Sequence, residues 1–150
     1  MKIRNLRDQL ETARAIAVIK HAGQTDKQGK PYIDHPLRVC ASLEDPGLKI
    51  VAMLHDTLED TATSPQELID AGIDPVYVDM VRTLTRDKRV SYLEYIRSLL
   101  SHPEVIPVKL ADIRDNLRPG CPPGLRRRYV EALKILGQDP DEFLSGSGEA

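Results

Sequence analysis

The chain has 150 residues, a one-domain length able to bury about 70% of its extended surface. Hydrophobic residues are 41% and charged ones 29%, with 21 basic against 23 acidic side chains and a formal net charge of −2. This excludes a disordered acidic tail protein and one that grips duplex nucleic acid through positive charge alone. No apolar run approaches the ~18 residues of a membrane span, so the expectation is a soluble cytoplasmic protein with no membrane partner.

Apolar spacing at Leu6, Leu10, Ala13, Ile16 and Ala17 predicts a first helix over 5–22. The polar, glycine-bounded stretch 23–31 then reads as a loop, long enough inside a small domain to carry function. A second helix is expected over 36–43, broken by Asp45-Pro46-Gly47, and a third, single helix over 48–60. Ser64-Pro65-Gln66-Glu67 is a capping box, and Gly72 stands where a glycine ends such a short helix. Further helices are predicted over 75–85, 91–101, 103–117 and 123–136, with Gly137 as a stop. Pro65, Pro75, Pro103 and Pro123 fall in first turns, where a missing N–H is harmless. Pro107 predicts a bend or restart before Val108. With no alternating strand pattern, the expected fold is all-α: a compact bundle of about eight helices over 1–144, followed by a flexible tail over 145–150.

Several places carry ligand-type side chains against the patterning. His55-Asp56 and Glu59-Asp60 lie in KIVAMLHDTLEDT. On a continuous helix Glu59 would stand about 40° from His55, Asp56 about 100° and Asp60 about 140°, with Val51, Leu54 and Leu58 on the opposite, core-facing arc. His35 lies in PYIDHP, and Asp112 enters the apolar stretch VKLAD, where Lys109, Asp112 and Asn116 share one face beside Asp115. Seen singly, each of these is an ordinary cap or solvated face. Together they give two histidines and two aspartates on three separated helices, a mixed donor set suited to Mn²⁺, Fe²⁺, Co²⁺ or Zn²⁺. Four protein ligands on an octahedral ion leave positions for water and substrate oxygen, as metal-assisted hydrolysis needs. Glu59, one turn from His55, has the placement of a general base.

The His55-Asp56 dyad, with a histidine upstream and an aspartate downstream, resembles the HD superfamily of metal-dependent phosphohydrolases. The likeness is nearer still to the hydrolase domain of the RelA/SpoT homologues, which removes the 3′-pyrophosphate of (p)ppGpp. It is carried, in order, by His21-Ala-Gly-Gln24, Gly29-Lys-Pro-Tyr-Ile-Asp-His-Pro36, Leu54-His-Asp-Thr-Leu-Glu-Asp-Thr61 and Val108-Lys-Leu-Ala-Asp112 with Asn116. The resemblance implies that His35, His55, Asp56 and Asp112 hold one Mn²⁺ ion and that Glu59 and Asp60 position or deprotonate the attacking water. It also implies that Asn116 touches a nucleotide substrate, and a length that suits a stand-alone hydrolase module. Lys109 is read as charge balance or phosphate contact, with a structural ion pair as the alternative, Lys27 as a phosphate contact, and His21 as structural.

Three positions depart from the family pattern. Asp26 stands where a basic residue, typically arginine, would lie against the base. Ile113 follows the aspartate in place of arginine, and Pro119 replaces a threonine. Hydrolysis of a nucleotide is therefore better supported than alarmone specificity. A nucleotide 2′- or 3′-phosphatase acting on NADPH-like substrates stays open, as does a non-catalytic metal- or nucleotide-binding module. Arg126-Arg127-Arg128 reads as a solvated face, with a phosphate-facing or subunit-contact patch as the alternative; self-association is left open. Cys40 and Cys121 lack metal-knuckle spacing, and Cys121 reads as structural. With no Trp and one Phe, any base stacking must come from tyrosine or arginine.

Overall fold

A computed structural model describes residues 4–146. Among them the chain is all-helical: α1 (Leu6–Lys20), α2 (Asp34–Ala41), α3 (Pro46–Leu54), α4 (Thr57–Asp60), α5 (Pro65–Asp70), α6 (Pro75–Leu84), α7 (Tyr92–Ser98), α8 (Ile106–Asn116), α9 (Pro123–Ile135) and α10 (Pro140–Ser145). Two 3₁₀ turns, Leu99–Ser101 and Pro103–Val105, join α7 to α8. The sole extended pairing among these residues is an isolated bridge between Thr25 and Pro31, which closes the loop after α1.

The middle of the bundle is α3. Gly47, Ile50, Val51, Ala52, Met53 and Leu54 are all buried, so apart from Lys49 this helix is apolar around its circumference, as a helix enclosed by others must be. It packs against α1, α2, α6 and α8. Ala13 and Ala17 of α1 are completely buried, and small side chains there suit a close approach. Gly47 has the same effect towards α6, since a Cβ would sit 2.7 Å from the Tyr77 hydroxyl oxygen.

Helix starts follow the local chemistry. Ser64 and Glu67 form the reciprocal capping box of α5, and Gly72 leaves that helix at φ +103°, a left-handed conformation that favours glycine. Pro46, Pro65, Pro75, Pro103, Pro107, Pro123 and Pro140 all occupy first turns. Pro107 thus marks a restart before Val108, as expected, with α8 beginning at Ile106.

Three expectations need correction. Helix α2 begins at Asp34, so His35 lies inside it; Pro36 then falls in the first turn, where it breaks nothing. The helix expected over 48–60 is two helices. The His55 imidazole Nδ1 bonds the Ala52 carbonyl at 2.6 Å, and the Thr57 hydroxyl donates to the Leu54 carbonyl at 2.8 Å. Side chains thereby take the acceptors that a continuing backbone would have used, and Asp56 turns at φ −102°, ψ −3°. The helix α10 was not anticipated. Asp139 caps it by accepting from the Asp141 and Glu142 amides, and Phe143 carries it onto the core. Ser145 closes α10, Gly146 caps it, and the rest of the expected tail, 147–150, lies outside the described residues.

Candidate active site

The break between α3 and α4 puts His55 and Asp56 at the inner end of the central helix. From there they meet His35 of α2 and Asp112 of α8. His35, His55 and Asp56 bring one ligand atom each within 4.8 Å of one another. Asp112 Oδ1 lies 2.9 Å from His35 Nε2 and 3.4 Å from His55 Nε2. The four residues named as metal ligands thus come together from three parts of the chain, at the floor of a cavity of about 300 Å³.

Each imidazole is oriented from behind. His55 donates through Nδ1 to the Ala52 carbonyl, which leaves Nε2 facing the cluster. That buried Nε2 has no hydrogen-bond partner, although Asp56 Oδ2 is 3.1 Å away, because the two are misaligned. On His35, Nδ1 contacts Asp115 Oδ2 at 2.6 Å, and Asp115 is itself clamped by Arg38 at 2.7 and 3.1 Å. A carboxylate behind a histidine fixes its tautomer and sharpens the opposite nitrogen as a ligand. The Tyr32 hydroxyl donates to Asp56 Oδ2. An inward nitrogen without a partner, beside a second imidazole and two carboxylates, is a donor set able to hold a divalent cation.

The charges around this cluster are strongly coupled. Burial works against protonation of His35, but its hydrogen bonds to the Asp112 and Asp115 carboxylates outweigh it and raise its pKa to about 9. Burial likewise opposes charge on Asp56, and the His55 and His35 imidazoles overcome it, holding the carboxyl down at about 2. Asp112 is drawn well below the usual carboxylate range by Lys109 and His55 against the cost of burial. Lys109 is buried, with Nζ 2.8 Å from Asp112 Oδ2 and 5.1 and 5.6 Å from the Tyr95 and Tyr92 ring centres. Its ammonium is turned onto Asp112, an ion pair within one turn of α8.

Glu59 and Asp60 of α4 line the same cavity, although the helix break voids the wheel geometry that placed them there. Glu59 Oε1 accepts from the Arg86 amide at 3.1 Å. Asp60 is exposed, and partial burial together with the neighbouring Asp56 and Glu59 charges raises its pKa to about 6. Asn116 donates to Asp112 Oδ1 at 3.0 Å and stands between the inner cavity and an outer basin of about 470 Å³. Lys27 is exposed on that outer basin and not in the inner cavity. Asp26 is a loop cap: Oδ1 accepts from the Gln28 and Lys30 amides at 2.8 and 2.9 Å. His21 ties down the same loop through Gln24 Oε1 at 2.8 Å.

Sequence reasoning passed over Tyr32, Arg38 and Asp115, which orient the donors, and over Tyr92, Tyr95 and Tyr129. Four of the five tyrosines line the inner cavity, so the few aromatics are concentrated at the site. Tyr32 was visible as the hydroxyl three residues before His35. Asp115, three residues after Asp112, shares its face of α8. Nothing local marked the others.

No protein-family profile matches the chain. Curated relatives do. A guanosine-3′,5′-bis(diphosphate) 3′-pyrophosphohydrolase of Aquifex aeolicus is 35% identical over 123 residues, 74% of this chain and 18% of its own length. A GTP pyrophosphokinase of Brucella ovis is 37% identical over 124 residues, 73% of this chain and 16% of its own length. A solved structure, described as a metazoan orthologue of SpoT that hydrolyses ppGpp and plays a role in starvation responses, matches all of both chains at 25% identity and a TM-score of 0.71. The chain is a homologue of the RelA/SpoT hydrolase domain. It spans less than a fifth of the length of the curated relatives it matches, and the HD-type helical fold is common to the full-length structural match. No helix among the described residues is long and apolar enough to cross a membrane.

Proposed function

We propose that this chain is a metal-dependent phosphohydrolase that removes the 3′-pyrophosphate of (p)ppGpp. The observation that supports this best is the convergence of His35, His55, Asp56 and Asp112 in one cavity that also holds Glu59 and Asp60. In this reading the first four residues hold one Mn²⁺ ion. Such an ion supplies Lewis-acid polarisation of a phosphoryl oxygen and a more acidic water.

The remaining work belongs to the chain's own side chains. Water adds to the phosphorus bonded to the ribose 3′-oxygen, and the P–O3′ bond breaks with its electron pair on O3′. The proton released by water passes to Glu59 or Asp60 and ends on O3′, giving a free 3′-hydroxyl and pyrophosphate. A carboxyl near pKa 6 is suited to taking and returning that proton at neutral pH. Asn116 orients the ribose from the α8 side, Lys27 meets a phosphate at the outer basin, and Lys109 keeps Asp112 charged and in place. Two free thiols, Cys40 and Cys121, suit a reducing compartment, and we assign the protein to the cytoplasm.

The second reading, a 2′- or 3′-phosphatase of other nucleotides, is favoured by Asp26. Its carboxylate is committed to the loop backbone, so that position offers the base no cationic plane. Purified protein loaded with Mn²⁺ and given ppGpp and a panel of 3′- and 2′-phosphorylated nucleotides, NADPH included, separates the two. Pyrophosphate released from ppGpp supports the first, and orthophosphate from the panel alone supports the second. Tight nucleotide binding with no turnover on any of them would overturn both and indicate a binding module.

A further inference from the structure

Glu59 and Asp60 stand on very little structure. Helix α4 is a single turn, Thr57–Asp60, and one turn of hydrogen bonds does not offset the cost of nucleating a helix. Its last carbonyls have no helical amide beyond them to bond. What holds the turn therefore comes from outside it. The Thr57 hydroxyl donates back to the Leu54 carbonyl at 2.8 Å, and Glu59 accepts from the Arg86 amide at 3.1 Å. At the far end, the Asp60 carbonyl accepts from Gln24 Nε2 at 3.1 Å, across 36 residues of sequence.

Gln24 is itself fixed from several sides. Gly23 leaves α1 at φ +84°, and the Gln24 amide turns back to the His21 carbonyl at 3.0 Å. Its side-chain Oε1 lies 2.8 Å from Nδ1 of His21, which is only 1% exposed. A backbone carbonyl can only accept, so Nε2 must face Asp60, Oε1 must face His21, and the imidazole Nδ1–H is the donor. The relay thus runs from the buried imidazole through the amide to α4. On the other side the Gln24 carbonyl accepts from the Tyr32 amide at 2.9 Å, and the Tyr32 hydroxyl donates to Asp56 Oδ2.

We propose that Gln24 is a positioning residue of the hydrolytic site: its side chain sets α4, which carries Glu59 and Asp60, and its main chain sets Tyr32 against Asp56. The inference rests on the hydrolase reading and deepens it, because it concerns how the proton-handling carboxylates are held. Gln24 lines neither the inner cavity nor the outer basin, so it acts through the groups it holds. An anchor for its own loop alone would behave differently. Residues 25–28 of that loop line the outer basin, so a loosened loop weakens substrate binding, whereas a loosened α4 slows the reaction of substrate already bound.

The test uses Q24E and Q24M. Q24E keeps an acceptor for His21 but has no donor for the Asp60 carbonyl; Q24M keeps the length, removes both contacts and adds no charge. Mn²⁺-loaded wild type and variants are compared for ppGpp hydrolysis and for backbone amide hydrogen exchange. Q24E is expected to lose about 10- to 100-fold in kcat, the scale of a small misplacement of reacting groups, with KM within about twofold, and Q24M to lose at least as much kcat. In both, the Asp60 and Thr61 amides should exchange about tenfold faster while those of α6 are unchanged. A wild-type kcat in either variant, a raised KM alone, or unchanged exchange at Asp60 and Thr61 would overturn the proposal. If wild type releases nothing from ppGpp, the hydrolase reading fails, while the exchange rates still decide whether Gln24 holds α4.

Discussion

Asp60 gives the sharpest test of the electrostatics. Its carboxyl is raised to about 6 by partial burial and by the Asp56 and Glu59 charges, and its side chain accepts no hydrogen bond among the described residues. In the unfolded chain it titrates near 3.9. Between these values the folded state binds more protons than the unfolded state. This favours folding fully below about pH 4 and is lost as pH rises through 6. An unscreened shift of this size would correspond to about 3 kcal/mol. Asp60 is exposed, however, and screening reduces the contribution to about 1 kcal/mol or less. Asp60→Asn removes the ionised form and should therefore stabilise metal-free protein above pH 6. In thermal melts across pH 3.5–8.5, a domain of this length should gain about 2–4 °C at pH 8 and nothing at pH 3.5. A cation added to the cluster should shrink the gain by lowering the carboxyl's pKa. If the variant gains equally at both ends of the range, or not at all, the like-charge account of Asp60 is wrong.

Lys109→Met keeps the volume but strands the Asp112 carboxylate, and removing one partner of a buried pair costs about 3–5 kcal/mol. Melting should drop by about 10 °C and recover in part with Mn²⁺; a drop of only a degree or two would mean that the pair is not what holds Asp112. Glu59→Gln keeps an oxygen for the Arg86 amide but cannot accept a proton. It should lower kcat by about 10²–10⁴ at unchanged metal content by elemental analysis, whereas a normal rate would leave Glu59 as a tether alone. Ser64→Ala removes the α5 cap at about 1 kcal/mol, seen as a melting point lower by about 2–4 °C with hydrolysis unaffected.

Helix starts were legible because their signals are local. Ser64 and Glu67 meet within one turn, and a proline in a first turn needs nothing from elsewhere. Asp139-Pro140, a cap and a first-turn proline, carried the same signal for α10. The break at His55 was not legible, since it depends on two side chains bending back to the Ala52 and Leu54 carbonyls; by propensity the stretch continues as helix. The donors were readable by residue type, as histidines and aspartates in apolar company. Their supports were not. Asp115 looked like part of a solvated stripe until α2 brought Arg38 and His35 against it, and Arg128 like one of three equivalent arginines until Tyr92 and Tyr129 gave it a wall.

The same geometry shows what the end of the central helix does for the site. On a continued α3, Asp56 would stand about 100° around the axis from His55. Ending the helix swings Asp56 back until its Oδ2 lies 3.1 Å from His55 Nε2 and 3.6 Å from His35 Nε2. Burial opposes protonation of His35, but its hydrogen bonds to Asp112 and Asp115 raise its pKa to about 9, so the cluster lies in a negative potential. Any cation feels that potential, and in the proposed reading two imidazole nitrogens with two carboxylate oxygens favour a borderline divalent ion. The broken helix therefore belongs to the site itself: it gathers the donors, and by restarting at Thr57 it carries Glu59 and Asp60 round to the same cavity.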